Sequence, residues 1–257
     1  MPELPEAETI VRSRRTPLTG RRIASAEFLS RRVSRDSPER LVGRTVADVR
    51  RYGKQIVVAL DGLNVLVKLG MTGSLLWNSE PGPYTRAVIE SDGGRLCFDD
   101  IRQFGSLSLL DGEPDTLGPD PLETGPEEFV ARLRSRDRAV KPLLLDQSFL
   151  RGIGNIYADE ALFRAGLHPE ARARRLTNER ALELREAIVR LLTEAIEHRG
   201  SSISDYVDAA GEKGGFQKLH RVYGREGEPC VVCGSPVRRI VLAQRGTHFC
   251  PACQRKR

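Results

Sequence analysis

No run of apolar residues in this 257-residue chain approaches the ~18 that a bilayer-crossing helix needs, which excludes such a helix. The opening Met1-Pro2-Glu3-Leu4-Pro5-Glu6 has neither the basic start nor the apolar run of a secretory signal, so no export is expected. There is no internal repeat, no low-complexity tract and no extended heptad pattern. Cysteine is scarce, at five, and four of the five fall in one pattern. Without an export signal, a disulfide framework is disfavoured and a metal site favoured.

What is present reads as an ordinary globular chain, 39% hydrophobic and 30% charged, long enough for one large domain or two smaller ones. The net charge of +6 is unevenly placed. Residues 221–257 hold eight basic side chains against Glu226 and Glu228, so the rest of the chain is neutral. A basic terminal module suggests a polyanion partner, most often nucleic acid.

Pro5 with Glu6 and Glu8 predicts a helix start, and Thr16-Pro17 its stop. Short strands are predicted from 22 to about 110, with hairpins turning at Asp61-Gly62 and at Asp92-Gly93-Gly94. That spacing implies a β-sandwich or barrel. After a Gly, Pro and Asp-rich linker the period becomes helical, with helices expected over 127–136, 141–149, 155–165 and from Thr177 to Gly200. The expected domains are 1–112, a linker at 113–126, a helical domain at 127–221 and a metal-binding module at 222–257.

Cys230-x2-Cys233 and Cys250-x2-Cys253, with sixteen residues between, fit one four-cysteine zinc site. Four thiolates close the shell and leave no place for a catalytic water, so the zinc is expected to be structural, and no organic cofactor is expected. His248 is then not needed as a ligand and reads as a surface polar residue, and Cys97 reads as a core residue. A small residue after Met1 favours removal of that methionine, which would leave Pro2 with a free secondary amine. An α-amino group titrates near pH ~8 and can attack a sugar carbon to form an iminium, with Glu3 beside it as proton donor. The plainer reading is helix capping.

The run Pro2-Glu3-Leu4-Pro5-Glu6-x-Glu8-Thr9 resembles the start of the formamidopyrimidine-DNA glycosylases. Further motifs follow in that family's order: Lys54 before a strand, Leu69-Gly70-Met71-Thr72-Gly73-Ser74, Arg102-Gln103-Phe104-Gly105 and Lys141-Pro142. Gly152-Ile153-Gly154-Asn155-Ile156-Tyr157-Ala158-x-Glu160 and the finger after Val222-Tyr223-Gly224 complete the likeness along essentially the whole chain. The resemblance implies an α+β chain: an N-terminal helix and β-sandwich, then a helical helix-two-turn-helix domain with a four-cysteine zinc finger. It implies a bifunctional glycosylase and abasic-site lyase that removes oxidised purines from double-stranded DNA lying across the cleft between the domains. It also implies a cytoplasmic, nucleoid-associated monomer.

By position, the resemblance makes Pro2 the nucleophile and Glu3 its acid. Lys54 would assist β-elimination and Arg245 would grip phosphate and serve δ-elimination. Met71, Arg102 and Phe104 would fill the gap left by a flipped base, a task that suits an apolar wedge, an aromatic and an arginine. Lys141, Tyr84 and Asn155 would contact DNA, with Asn155 also capping its helix. Glu6 and Glu160 would give structural support, and Gly211, Gly214, Gly215 and Phe216 would form a loop over the lesion. The sequence departs from the family at Tyr84, Gln103, Lys213 and Gly215, none of them in the presumed chemistry. The competing readings are the oxidised-pyrimidine branch of endonuclease VIII type and a non-catalytic DNA-binding protein. The lesion loop and Met71 disfavour the first, and the retained Pro2, Glu3, Lys54 and Arg245 disfavour the second.

Overall fold

The structure, a computed structural model, describes residues 2–202 and 214–256. The chain separates into two compact units, residues 1–115 with 196–217, and 116–195 with 218–257.

The first unit begins with α1, Leu4–Leu18. Its buried face, Leu4, Ala7, Ile10, Val11 and Leu18, follows the helical repeat. The helix runs one residue past Pro17, where the expected stop lies. Proline there removes a single hydrogen bond from a last turn that is ending anyway. Eight strands follow: β1 (Ile23–Phe28), β2 (Val46–Tyr52), β3 (Gln55–Leu60), β4 (Leu63–Lys68), β5 (Gly73–Trp77), β6 (Thr85–Ser91), β7 (Gly94–Asp100) and β8 (Ser106–Leu110). They form two antiparallel four-stranded sheets, ordered β1-β6-β7-β5 and β2-β3-β4-β8. The predicted hairpins are β3–β4, closed at Leu60↔Leu63, and β6–β7, closed at Ser91↔Gly94. Ile56, Val58, Val65, Val67, Leu75 and Phe98 belong to one aliphatic core with α1. Burying Phe98 contributes on the order of 2 kcal/mol.

The second unit holds α2 (Pro126–Arg134), α3 (Val140–Leu144), α4 (Asn155–Arg164), most of α5 (Asn178–Glu197), and the hairpin β9 (Arg238–Leu242) and β10 (Arg245–Phe249). Thr177 caps α5 by accepting the Arg180 N–H at 3.3 Å. α3 stops five residues before its expected end. Asp146 Oδ1 accepts both the backbone N–H and the hydroxyl of Ser148, a side-chain turn that competes with the helix ladder. The expected domain order also differs from the compact units, because residues 196–217 cluster with the sandwich rather than with the helices that precede them. None of the described helices is long and apolar enough to cross a membrane.

Candidate functional site

In the first unit, the residues before α1 are held rather than left to fray. Pro2 is buried, as are Glu3 and Glu6. Glu6 Oε2 accepts the Glu3 N–H at 2.7 Å, half of a reciprocal capping box. Its other oxygen, Oε1, accepts the Ser201 N–H at 2.7 Å, so one buried carboxylate joins residues 3 and 201. Only glycine fits at position 200. Its φ is +73°, and a Cβ would lie 2.5 Å from Glu6 Oε1. Lys54 sits half-buried in the β2–β3 turn, after Gly53 at φ +64°. Arg51 of β2 pairs with Glu8 of α1 at 2.8 Å, which ties the helix to the strand leading into that turn.

Met71, Arg102 and Phe104 stand together at the surface. Arg102 Nη2 is 3.2 Å from Met71 Sδ, and the guanidinium lies 4.8 Å from the centre of the Phe104 ring. Phe104 is 61% exposed and Met71 37%. Two exposed apolar side chains that both touch one arginine make a small patch rather than scattered single residues. Their support is Asp100, fully buried, which accepts the Thr72 hydroxyl and the N–H groups of Arg102 (3.2 Å) and Gly105 (2.8 Å). Gly70, at φ +63°, lets the two loops touch, since a Cβ there would meet Gly105 N at 2.6 Å. Sequence reasoning did not find Asp100, because its role is set by partners that no motif displays. Tyr84 is exposed, and Gln103 takes a left-handed φ of +54° while accepting the Ser30 hydroxyl.

Of the expected lesion loop, Gly211 lies outside the described residues, as do Lys213 and Met1. The stem is described. Gly214 N–H donates to Ser202 Oγ at 2.9 Å, Gly215 N–H to the His198 carbonyl at 2.8 Å, and Phe216 N–H to the Gly200 carbonyl at 3.0 Å. Phe216 is fully buried, its ring 6.4 Å from that of His198. Its ring therefore packs in the core at the stem of that loop.

In the second unit, Gly152 (φ +99°) and Gly154 form the turn before α4. Gly154 is the N-cap and Asn155 the first helical residue, so Asn155 does not cap its helix as expected. Its amide instead donates to the Gly246 carbonyl at 3.0 Å. Lys141 is not at the surface either. It is fully buried, paired with Asp159 at 2.7 Å and donating to Gly246 O and Thr247 Oγ1, each at 2.8 Å. An enclosed ammonium cannot also grip phosphate, so its expected DNA contact is withdrawn. His248, expected at the surface, is largely enclosed and hydrogen-bonded to Asp159, against the Tyr223 ring at 5.1 Å. Glu160 is buried and accepts the N–H groups of Arg221, Val222 and Tyr223 at 2.8–3.0 Å. Burial pushes its carboxyl up, and these three donors work against that shift. Arg245 is exposed, directly after a two-residue turn in which Ala243 and Gln244 both take positive φ. Two non-glycine residues in that region cost roughly 1–2 kcal/mol each, for a turn that starts β10 at the arginine.

Beyond the hairpin, the four cysteine sulfurs all lie within 4.8 Å of one another. Cys230 and Cys253 Sγ are 3.9 Å apart, Cys233 and Cys250 Sγ 3.5 Å. Sulfurs ~2.3 Å from a tetrahedral zinc would be separated by about 3.8 Å, so the cluster fits one zinc ion as a closed structural site. Phe163, Val222 and Val237 pack around it. Cys97 is buried in the sandwich, as expected.

Three family models match: the Formamidopyrimidine-DNA glycosylase N-terminal domain over residues 1–107, the Formamidopyrimidine-DNA glycosylase H2TH domain over 117–207, and the Zinc finger found in FPG and IleRS over 227–255. The chain is 52% identical to the Formamidopyrimidine-DNA glycosylase of Solibacter usitatus, covering 100% of both chains. It is 42% identical to that of Carboxydothermus hydrogenoformans, over 99% of this chain and 100% of the relative. Among solved structures, the MutM (FPG) protein of Thermus thermophilus aligns with a TM-score of 0.89 at 43% identity, over 98% of each chain. A Lactococcus lactis Fpg bound to DNA containing an abasic site aligns at 0.89 with 32% identity, over 99% of this chain and 100% of that one.

Proposed function

The chain belongs to the formamidopyrimidine-DNA glycosylase family, and from that premise we propose that it excises oxidised purines from duplex DNA and nicks the strand at the abasic site. The observation that carries this reading is the anchoring of the Pro2-Glu3 segment by the buried Glu6 carboxylate, because a terminal amine can act as a nucleophile only if its position is fixed. Solved relatives whose names state complexes with abasic-site DNA and Fapy-dG DNA support the choice of substrate.

In this reading, the Pro2 amine attacks C1′ of the damaged nucleotide and the base departs with the glycosidic electron pair. Glu3 supplies the proton that opens the sugar, which leaves an iminium on Pro2. Loss of a C2′ proton expels the 3′ phosphate, with Lys54 assisting. A second elimination expels the 5′ phosphate, held by Arg245. Met71, Arg102 and Phe104 occupy the gap from which the base is flipped. Their exposure and mutual contact suit that task better than any structural one. Tyr84 and Asn155 contact the DNA backbone, and Gly214 and Gly215 belong to a loop over the lesion. The zinc holds the finger together and offers no open position. We place the enzyme in the cytoplasm on chromosomal DNA, acting as a monomer.

A panel of duplexes carrying 8-oxoguanine, a formamidopyrimidine, thymine glycol or an abasic site tests the substrate class. Release of both purine lesions, with thymine glycol left intact, is expected. Excision of thymine glycol alone would move the chain to the pyrimidine branch. Salt-sensitive binding to all four without cleavage would make it a non-catalytic binder.

A further inference from the structure

We infer that the buried Lys141–Asp159 pair is a positioning device for Arg245: it fixes the backbone of the hairpin tip and so governs how efficiently the second elimination follows the first. This rests on the reading of Arg245 given above. Lys141 and Asp159 are both essentially without solvent contact, and their ion pair measures 2.7 Å. Removing two charges from water is costly, and their mutual attraction seldom returns more than that cost. A pair retained at that cost is better judged by what it holds.

Here it holds one stretch of backbone. The Lys141 ammonium donates to the Gly246 carbonyl and to the Thr247 hydroxyl, each at 2.8 Å. The Thr247 hydroxyl passes the contact on, donating to the Arg245 carbonyl at 3.1 Å. Asp159 Oδ2 accepts the His248 N–H at 2.8 Å, and Asn155 donates to the same Gly246 carbonyl at 3.0 Å. Each residue from 245 to 248 is thus held by a side chain, and the chain of contacts starts at positions 141, 155 and 159. Immediately before them, Ala243 and Gln244 sit at φ +48° and +60°, a conformation the sequence does not favour. The clamp lies on one side of Arg245 and the strained turn on the other. The arginine's backbone is fixed while its side chain stays exposed, the combination a phosphate-gripping group needs.

The test uses the full-length, zinc-loaded protein on a duplex with a single abasic site, reading the ratio of δ- to β-elimination products. Zinc content, melting temperature and borohydride trapping are measured alongside. Thr247→Val removes the relay and keeps the shape, and its δ-to-β ratio is expected to fall about tenfold, with trapping changed by less than about twofold. Thr247→Ser keeps the hydroxyl and should restore the ratio. Asp159→Asn should lower the ratio at least as far, and if it fails to fold, the Val and Ser pair still decides. Arg245→Ala separates the two ways of being wrong. If it loses δ-elimination while Thr247→Val and Asp159→Asn keep the parent ratio, the positioning role is refuted. If Arg245→Ala itself keeps the ratio, the role of Arg245 is refuted and the inference with it. A loss in Thr247→Val that Ser does not restore would also overturn it, assigning the effect to packing.

Discussion

Replacing Glu6 with glutamine should weaken the fold and the chemistry together. The carboxylate accepts two buried N–H groups, from Glu3 and Ser201, each at 2.7 Å. Hydrogen bonds to a charged group contribute about 1.5–3 kcal/mol each. Glutamine has the same shape but one acceptor oxygen, so its NH2 must face one of the two donors. One contact is lost and one buried N–H is left facing another donor. The backbone of Gly200 packs against this carboxylate so closely that a Cβ would lie 2.5 Å from Oε1, which limits relaxation. The expected loss is about 2–3 kcal/mol, a drop of roughly 4–10 °C in Tm for a protein of this size. Whichever donor is left facing the NH2, the link this side chain makes between residues 3 and 201 is broken, so the Pro2 amine loses part of its anchor, and a misplacement of ~1 Å can cost about a hundredfold in rate. Single-turnover borohydride trapping on an abasic duplex should therefore slow by about 10- to 100-fold. Glu6→Gln with an unchanged Tm and an unchanged trapping rate would refute the claim that this carboxylate positions the terminus.

Phe104→Ala should leave Tm nearly unchanged, because the ring is 61% exposed. Its excision of 8-oxoguanine should fall about tenfold while cleavage of a preformed abasic site falls much less, as lost stacking penalises flipping. Cys250→Ser should abolish zinc binding, which contributes on the order of 10 kcal/mol or more to folding such modules. Zinc titration and abasic-duplex binding should then fail together, since β10 runs from Arg245 into that cysteine. Acid should weaken the fold through His220, whose pKa burial lowers to about 4. The unfolded state takes up that proton first, near pH ~6.5, so stability falls as pH drops from there towards 4. Between neutrality and pH ~5 the parent should lose about 2 kcal/mol more stability than His220→Asn does, read from denaturant melts at the two pH values.

Features built from neighbours in the chain were readable in the sequence. The Asp61-Gly62 hairpin, the Thr177 cap and the paired CxxC spacing each depend on a few adjacent residues. What escaped were features decided by distant partners. Nothing local says that Lys141 is enclosed, because the groups enclosing it, Asp159, Gly246 and Thr247, arrive up to 106 residues later. His248 was misplaced for the same reason, since a polar ring in a basic module looks solvent-facing until Asp159 is placed against it. The order β1-β6-β7-β5 likewise pairs β1 with a strand far along the chain, which alternation alone cannot assign.

The central claim is that the amine of Pro2 performs the chemistry. The direct measurement is to incubate the protein with an 8-oxoguanine duplex and borohydride, then locate the adduct by mass spectrometry. Borohydride reduces an iminium to a stable amine, so the account predicts one covalent adduct, on a Pro2 that has lost Met1. An adduct on Lys54 or elsewhere would contradict it, as would no adduct from protein that lacks Met1 and binds the duplex.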